Sequence, residues 1–92
     1  MAERRVTIGW PEGLHARPAS VFVRAAAAVG VPVTIAKAGG APVNAASMLG
    51  LLALGAEGGE EVVLSCDAPG ADAALERLAK LVEQGLDELP VA

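Results

Sequence analysis

The sequence predicts an α+β fold, a small antiparallel sheet with helices covering one face and elements in the order βαββαβα. Three observations carry this expectation. Two stretches, Arg4–Ile8 and Glu60–Asp67, alternate with period two, as half-exposed strands do. Two others, Ala16–Ala28 and Ala71–Gln84, repeat their apolar residues at three- and four-residue spacing, as amphipathic helices do. The chain of 92 residues suits a single domain, 1–92, and leaves little length for the crossovers that parallel strands need.

Each element has its own signal. In the first strand Arg4, Val6 and Ile8 alternate with Arg5 and Thr7, and Gly9–Leu14, with Pro11 and Gly13, reads as a loop. The first helix runs from Ala16 to about Ala28, with Ala19, Phe22, Val23 and Ala26 toward the core. Gly30 ends it. Val31–Lys37 is rich in β-branched residues and reads as a second strand. Gly39-Gly40 turns the chain into a short third strand, Ala41–Asn44, which Pro42 confines to a sheet edge. Ser47 is placed to cap a short helix that Gly55 stops, and Gly55–Gly59 forms a loop. In the fourth strand, Glu60–Asp67, Val62, Leu64 and Cys66 share a face. After Pro69-Gly70 the longest helix carries the stripe Ala71, Ala74, Leu75, Leu78, Leu81 and Val82, with Glu76 and Lys80 as an i,i+4 pair. The tail to Ala92 is expected to fray. There is no repeat, linker or low-complexity segment, and periodicity does not set the strand order.

Composition excludes several functions. A net charge of −4 and two aromatic residues, Trp10 and Phe22, offer neither a basic stripe for phosphates nor a stacking platform for bases, so nucleic acid is not an expected partner. No apolar run reaches the roughly 18–20 residues of a membrane span, and the start lacks the apolar core of a signal peptide. Cys66 has no second cysteine to pair with and reads as a buried thiol, which with the missing signal peptide points to the cytoplasm. One histidine and one cysteine cannot build an all-protein zinc site. No glycine-rich phosphate loop is present. Neither a metal nor a cofactor is expected.

The chemistry concentrates in Gly13-Leu14-His15-Ala16-Arg17-Pro18-Ala19-Ser20, which holds the single histidine. Imidazole side chains titrate near neutrality, so a neutral nucleophilic nitrogen is abundant in cells. With His15 as N-cap, the N–H groups of Ala16 and Arg17 are left without helical partners, and the helix dipole points its positive end the same way. An anion on His15 would meet those groups and the Arg17 guanidinium. Pro18, as the third helical residue, costs no helical bond. A lone histidine at such a position is more commonly a cap or a packed side chain, so spacing alone leaves both readings open. Beyond it, Arg17, Ser20, Val21 and Arg24 form a second stripe, away from the core, in which Arg24 by itself is a solvated charge. Ser47–Leu54 carries no charge, yet a short surface helix buries one side only. Some of Met48, Leu49, Leu51 and Leu52 are therefore candidates for an exposed docking patch, the alternative being that all four are core.

Over nearly its whole length the chain resembles HPr, the histidine-containing phosphocarrier family of the bacterial phosphoenolpyruvate-dependent sugar phosphotransferase system. Gly13–Ala19 resembles that family's active-site motif, and Val43–Leu52 resembles its regulatory-serine motif. Gly55–Glu61 is similar to the loop before its last strand. Ala46 stands where the family often has a basic residue, and Trp10 is an unusual aromatic in the active-site loop.

The resemblance implies an open-faced β-sandwich, with four antiparallel strands in the order 1-4-2-3 and three helices on one face. It implies a monomeric carrier with no turnover of its own. His15 would take a phosphoryl group on Nδ1 from phosphorylated enzyme I and pass it to a histidine of an enzyme IIA domain, with Arg17 attending the phosphate. Ser47 matches the serine that HPr kinase/phosphorylase modifies in many Gram-positive bacteria. Two alternatives share the fold. One is a regulatory module acting through Ser47 on a transcription factor, and the other is the carrier of a nitrogen-type phosphorelay. The intact His15-Ala16-Arg17 favours a carrier, and the Ser47 motif favours the sugar pathway.

Overall fold

Strands β1 (Ala2–Thr7), β2 (Thr34–Lys37), β3 (Val43–Asn44) and β4 (Glu61–Cys66) alternate with helices α1 (Ala16–Ala28), α2 (Met48–Leu54) and α3 (Ala71–Gln84) in the expected order βαββαβα. The computed structural model describes residues 2–90. The strands form one antiparallel sheet in the order β1-β4-β2-β3. The last strand is thus internal. β4 pairs Val62 with Val6 and Leu64 with Arg4 on one side, and Leu64 with Ile35 on the other. Along β4 the residues Val62, Leu64 and Cys66 are buried while Glu61, Val63 and Ser65 are not, the signature of a sheet covered on one face. Onto that face pack α3, against β1 and β4, and α1, which also touches α2 and α3. Phe22, Ile35, Leu51, Leu64, Leu75, Leu78 and Leu81 belong to one continuous apolar cluster.

The helices begin and end where their caps indicated. Ser47 Oγ accepts from the Gly50 N–H at 3.1 Å, and Gly55 closes α2 in the left-handed region. Lys80 and Glu76 pair at 3.8 Å. Three strands are shorter than expected, β4 by one residue at each end. β2 starts at Thr34 and not at Val31, because Gly30 at φ 78° and Pro32, which has no N–H, keep the chain out of the ladder. β3 starts at Val43 and not at Ala41, with Pro42 just outside it. β1, by contrast, extends back to Ala2.

The larger departure lies after α3. Residues 85–90 do not fray. Gly85 (φ 61°) donates its N–H to Val82 O and Leu86 donates to Leu81 O at 3.0 Å, the paired bonds of a Schellman turn. Leu86 and Leu89 then pack on the core, and Arg77 Nε donates to Pro90 O at 3.2 Å. Val91 and Ala92 lie outside the described residues. This segment also receives Trp10, whose indole is 5% exposed and donates from Nε1 to Leu86 O at 3.2 Å.

The loop that leaves β1 is tied to the same place. Gly9 donates to Val82 O at 2.8 Å, and a Cβ at Gly9 would run into the Glu83 carbonyl. Gly9→Ala is therefore expected to destabilise the fold by about 1–3 kcal/mol through overpacking against backbone that cannot rotate away. The change in the midpoint of urea unfolding, at unchanged slope, measures it.

Candidate functional site

Leu14 is 0% exposed and its N–H donates to Ala56 O at 2.9 Å; the next residue, His15, is exposed. The chain thus passes from core to solvent in one step. Gly13 makes that step possible. It sits at φ 74°, with the 56–57 backbone so close that a Cβ there would lie 2.6 Å from Glu57 Cα. His15 is the N-cap of α1, in extended conformation (φ −130°, ψ 160°), and its side chain makes no capping bond. The ring is therefore not used up as a cap, one of the two bland roles open to a lone histidine, and its exposure excludes the other, a packed core residue.

The first bond of the helix runs from Ala19 N–H to His15 O at 3.4 Å. The N–H groups of Ala16 and Arg17 precede it, in the turn where a helix supplies no acceptors, and Pro18 has none to offer. No acidic residue lies in this first turn. Ala16 carries a feature that its identity does not advertise. Its φ is +49°, the one positive value among the described residues other than glycine. A conformation of this kind costs an alanine on the order of 1–3 kcal/mol and is held by its surroundings, here the buried Leu14 before it and the buried Pro18-Ala19 after it.

Arg17 is exposed, and its Nη2 lies 3.8 Å from Asp87 Oδ2 on the segment after α3. One turn on, Arg24 Nη2 donates to Ser20 Oγ at 3.4 Å. Arg17, Ser20 and Arg24 thus form the outward stripe expected of α1, but Val21 does not belong to it. Val21 is 7% exposed because the segment 86–89 runs alongside α1 and covers it; Val21 and Leu89 line one cleft between the two. On α2, Met48, Leu49 and Leu52 are exposed, Leu49 at 83%. Leu51 is fully buried, since a two-turn helix lying against α1 must turn one leucine inward. The docking patch expected from sequence therefore loses Val21 and Leu51 and keeps the other three apolar residues on the helix beside α1. Ser47, half-buried, caps that same helix. Among the described residues no helix is long and apolar enough to cross a membrane.

Residues 2–84 match the family model for the PTS HPr component phosphorylation site. The chain belongs to the HPr family. It is 78% identical over 90 residues to the phosphocarrier protein HPr of Streptomyces coelicolor, covering 98% of this chain and 97% of that one. It is 37% identical over 84 residues to the HPr-like protein Crh of Bacillus subtilis, covering 91% of this chain and 98% of Crh. The solved structure of a phosphocarrier protein HPr from Bacillus anthracis superposes with a TM-score of 0.82 at 34% identity, covering 88% of this chain and 95% of that one. The HPr-family fold, four antiparallel strands in the order 1-4-2-3 with helices over one face, is the one described above.

The Ser47 cap has a measurable contribution of its own. Ser47→Ala should lower stability by about 0.5–2 kcal/mol, because the Gly50 N–H loses its acceptor at the start of a half-buried helix. Chemical denaturation of the two proteins side by side gives the difference.

Proposed function

We propose that His15 is the phosphoryl acceptor of this HPr-family carrier, taking the group from phosphorylated enzyme I and passing it to a histidine of an enzyme IIA domain. The observation that carries this reading is the setting of His15, an exposed and uncapped imidazole at the open N-terminus of α1. In the transfer the Nδ1 lone pair attacks phosphorus. The bond from phosphorus to the donor breaks, and its electron pair returns to the donor. The N–H groups of Ala16 and Arg17 and the positive end of α1 face the new charge, and the Arg17 guanidinium reaches it from the solvent side. The chain is a carrier acting in the cytoplasm, and the chemistry is completed by its partners. Those partners dock on the surface made by Ser20 and Arg24 of α1 and by the exposed Met48, Leu49 and Leu52 of α2, the helix that lies against it.

A second, regulatory role rests on Ser47. As the N-cap of α2 it would hold a phosphate where added negative charge is favourable to the helix, so the fold would persist while Met48 and Leu49 acquire an anionic neighbour. The likeness to Crh, the Bacillus subtilis catabolite repression HPr, supports a regulatory reading alongside the carrier one.

Incubation with enzyme I and phosphoenolpyruvate should add one acid-labile, base-stable phosphate, and His15→Ala should add none; labelling of that variant would overturn the assignment. Arg17→Ala should slow transfer by about 10²–10³-fold with little change in melting temperature, as expected for a preorganised donor lost from an exposed position. Arg17→Lys should restore little, because the planar fork is gone. Ser47→Asp should keep or raise the melting temperature and slow phosphorylation of His15 at limiting enzyme I. Equal rates would leave Ser47 only its capping role.

A further inference from the structure

Residues 9–13 carry three side chains. Pro11 and Glu12 are exposed, and Trp10 is buried. Gly13 donates its N–H to Trp10 O at 2.9 Å, which closes residues 10–13 into a β-turn with proline second and glycine fourth. The turn leads straight into Leu14 and His15. Gly58 backs its main chain so closely that a Cβ there would lie 2.6 Å from Trp10 O and 2.5 Å from Pro11 O. The indole makes a second attachment, to the segment after α3. It donates from Nε1 to Leu86 O at 3.2 Å, and a Cβ on Gly85 would lie 3.4 Å from its Cδ1. Leu86 is itself fixed, by its N–H to Leu81 O and by its side chain on the core. With Arg17, Pro18 and Gly85, Trp10 also lines a cleft of about 260 Å³ against the first turn of α1.

The turn needs no large side chain to close, since the bond that closes it joins backbone groups. What the indole adds is a fixed distance between the turn and the end of α3. We propose that Trp10 is a positioning residue for phosphotransfer: by anchoring the turn before His15 to the segment after α3, it sets where the imidazole stands relative to the docking face of α1 and α2. This rests on the reading of His15 as acceptor. The His15 side chain makes no capping bond, so its ring is placed by the backbone that carries it. That backbone enters α1 through Ala16, whose φ of +49° alanine keeps only under restraint. Without the Leu86 contact the turn shifts and Ala16 relaxes. A partner still docks on α1 and α2, but the nitrogen no longer meets the donor phosphorus in line. Transfer needs the reacting atoms about 3–3.5 Å apart, and a misplacement of about 1 Å costs up to roughly 10²-fold in rate. A buried residue behind the loop thus acts on the geometry of the docked complex and not on docking.

The test separates docking from transfer. Initial rates of phosphorylation by enzyme I and phosphoenolpyruvate are measured over a range of carrier concentration. Wild type is compared with Trp10→Phe, which keeps a ring in place and removes the N–H donor. Trp10→Phe should lower kcat about five- to twenty-fold and leave KM within about two-fold of wild type. Phosphoramidate, a small donor that needs no docking, should label His15 of both proteins at the same rate. Ile35→Val, which deletes one methyl group from the core at β2, controls for lost stability and should leave kcat unchanged. An unchanged kcat in Trp10→Phe would overturn the role of Trp10, and so would an equal fall in Ile35→Val. A rise in KM alone would make Trp10 part of the docking surface, and slower labelling by phosphoramidate would mean that the imidazole itself had changed. Either result would also overturn it, and all four leave the carrier reading intact. Failure of the wild type to be labelled at His15 by enzyme I would remove the carrier reading itself.

Discussion

The arrangement of the site depends on the backbone bond from Leu14 N–H to Ala56 O and on the buried leucine it accompanies. Residues 9–14 have no regular structure, yet they are tied at both ends: Gly9 to the last turn of α3, Leu14 to the loop before β4. A loop so anchored delivers the chain to the start of α1 in one orientation. His15 then needs no side-chain contact to hold its place, because its backbone is set by its neighbours. The strain at Ala16 follows from the same anchoring. A free loop would relax a positive φ at alanine within its own length, whereas one clamped by a core leucine and followed by a buried Pro18 has nowhere to distribute it.

Among the described residues no charged or polar residue is buried, and the ion pairs Arg5–Glu61, Arg17–Asp87, Lys37–Glu60 and Lys80–Glu76 all lie at least partly in solvent. Stability therefore comes from apolar burial and from the backbone ladder, and the charges are free to serve recognition. This separation suits a protein that changes its surface charge as part of its work. A phosphate added at a helix start, as proposed for His15, alters what the surface attracts while leaving the buried cluster as it was.

Helix ends were legible because their signals are local: Ser47 and Gly55 bracket α2, and Gly70 precedes α3, each within a residue of the break. Strand ends depend on a partner. Val31 and Val33 look like strand residues, but Gly30 and Pro32 between and before them keep them from pairing regularly, and a run of β-branched residues does not show this. The order of strands was available only through likeness to a family, since alternation tells which face a residue occupies and not which strand lies beside it. His15 and Ser47 stood out as candidates because each combines a chemical type with an N-cap position, and Arg17 because it lies two residues into the helix that His15 caps. Val21 and Leu51 were misplaced because what covers them is remote in sequence. The docking of residues 85–90 was hidden for the same reason: its key contact joins Trp10 to Leu86, 76 positions apart. Ala16 could not have been singled out at all, as nothing about alanine announces a left-handed backbone.

The Trp10–Leu86 bond has an optical consequence. The chain has one tryptophan and no tyrosine, so its long-wavelength ultraviolet absorption and its emission come from a single indole. That indole sits where the β1 exit loop meets the segment following α3, away from the middle of the sheet. Emission therefore reports on one seam of the molecule, while far-ultraviolet circular dichroism reports on the helices as a whole. If the seam opens before the rest, the two signals change at different denaturant concentrations; if the protein unfolds as a unit, the curves superpose. A local event and a global one are thus separable in this chain without any added label.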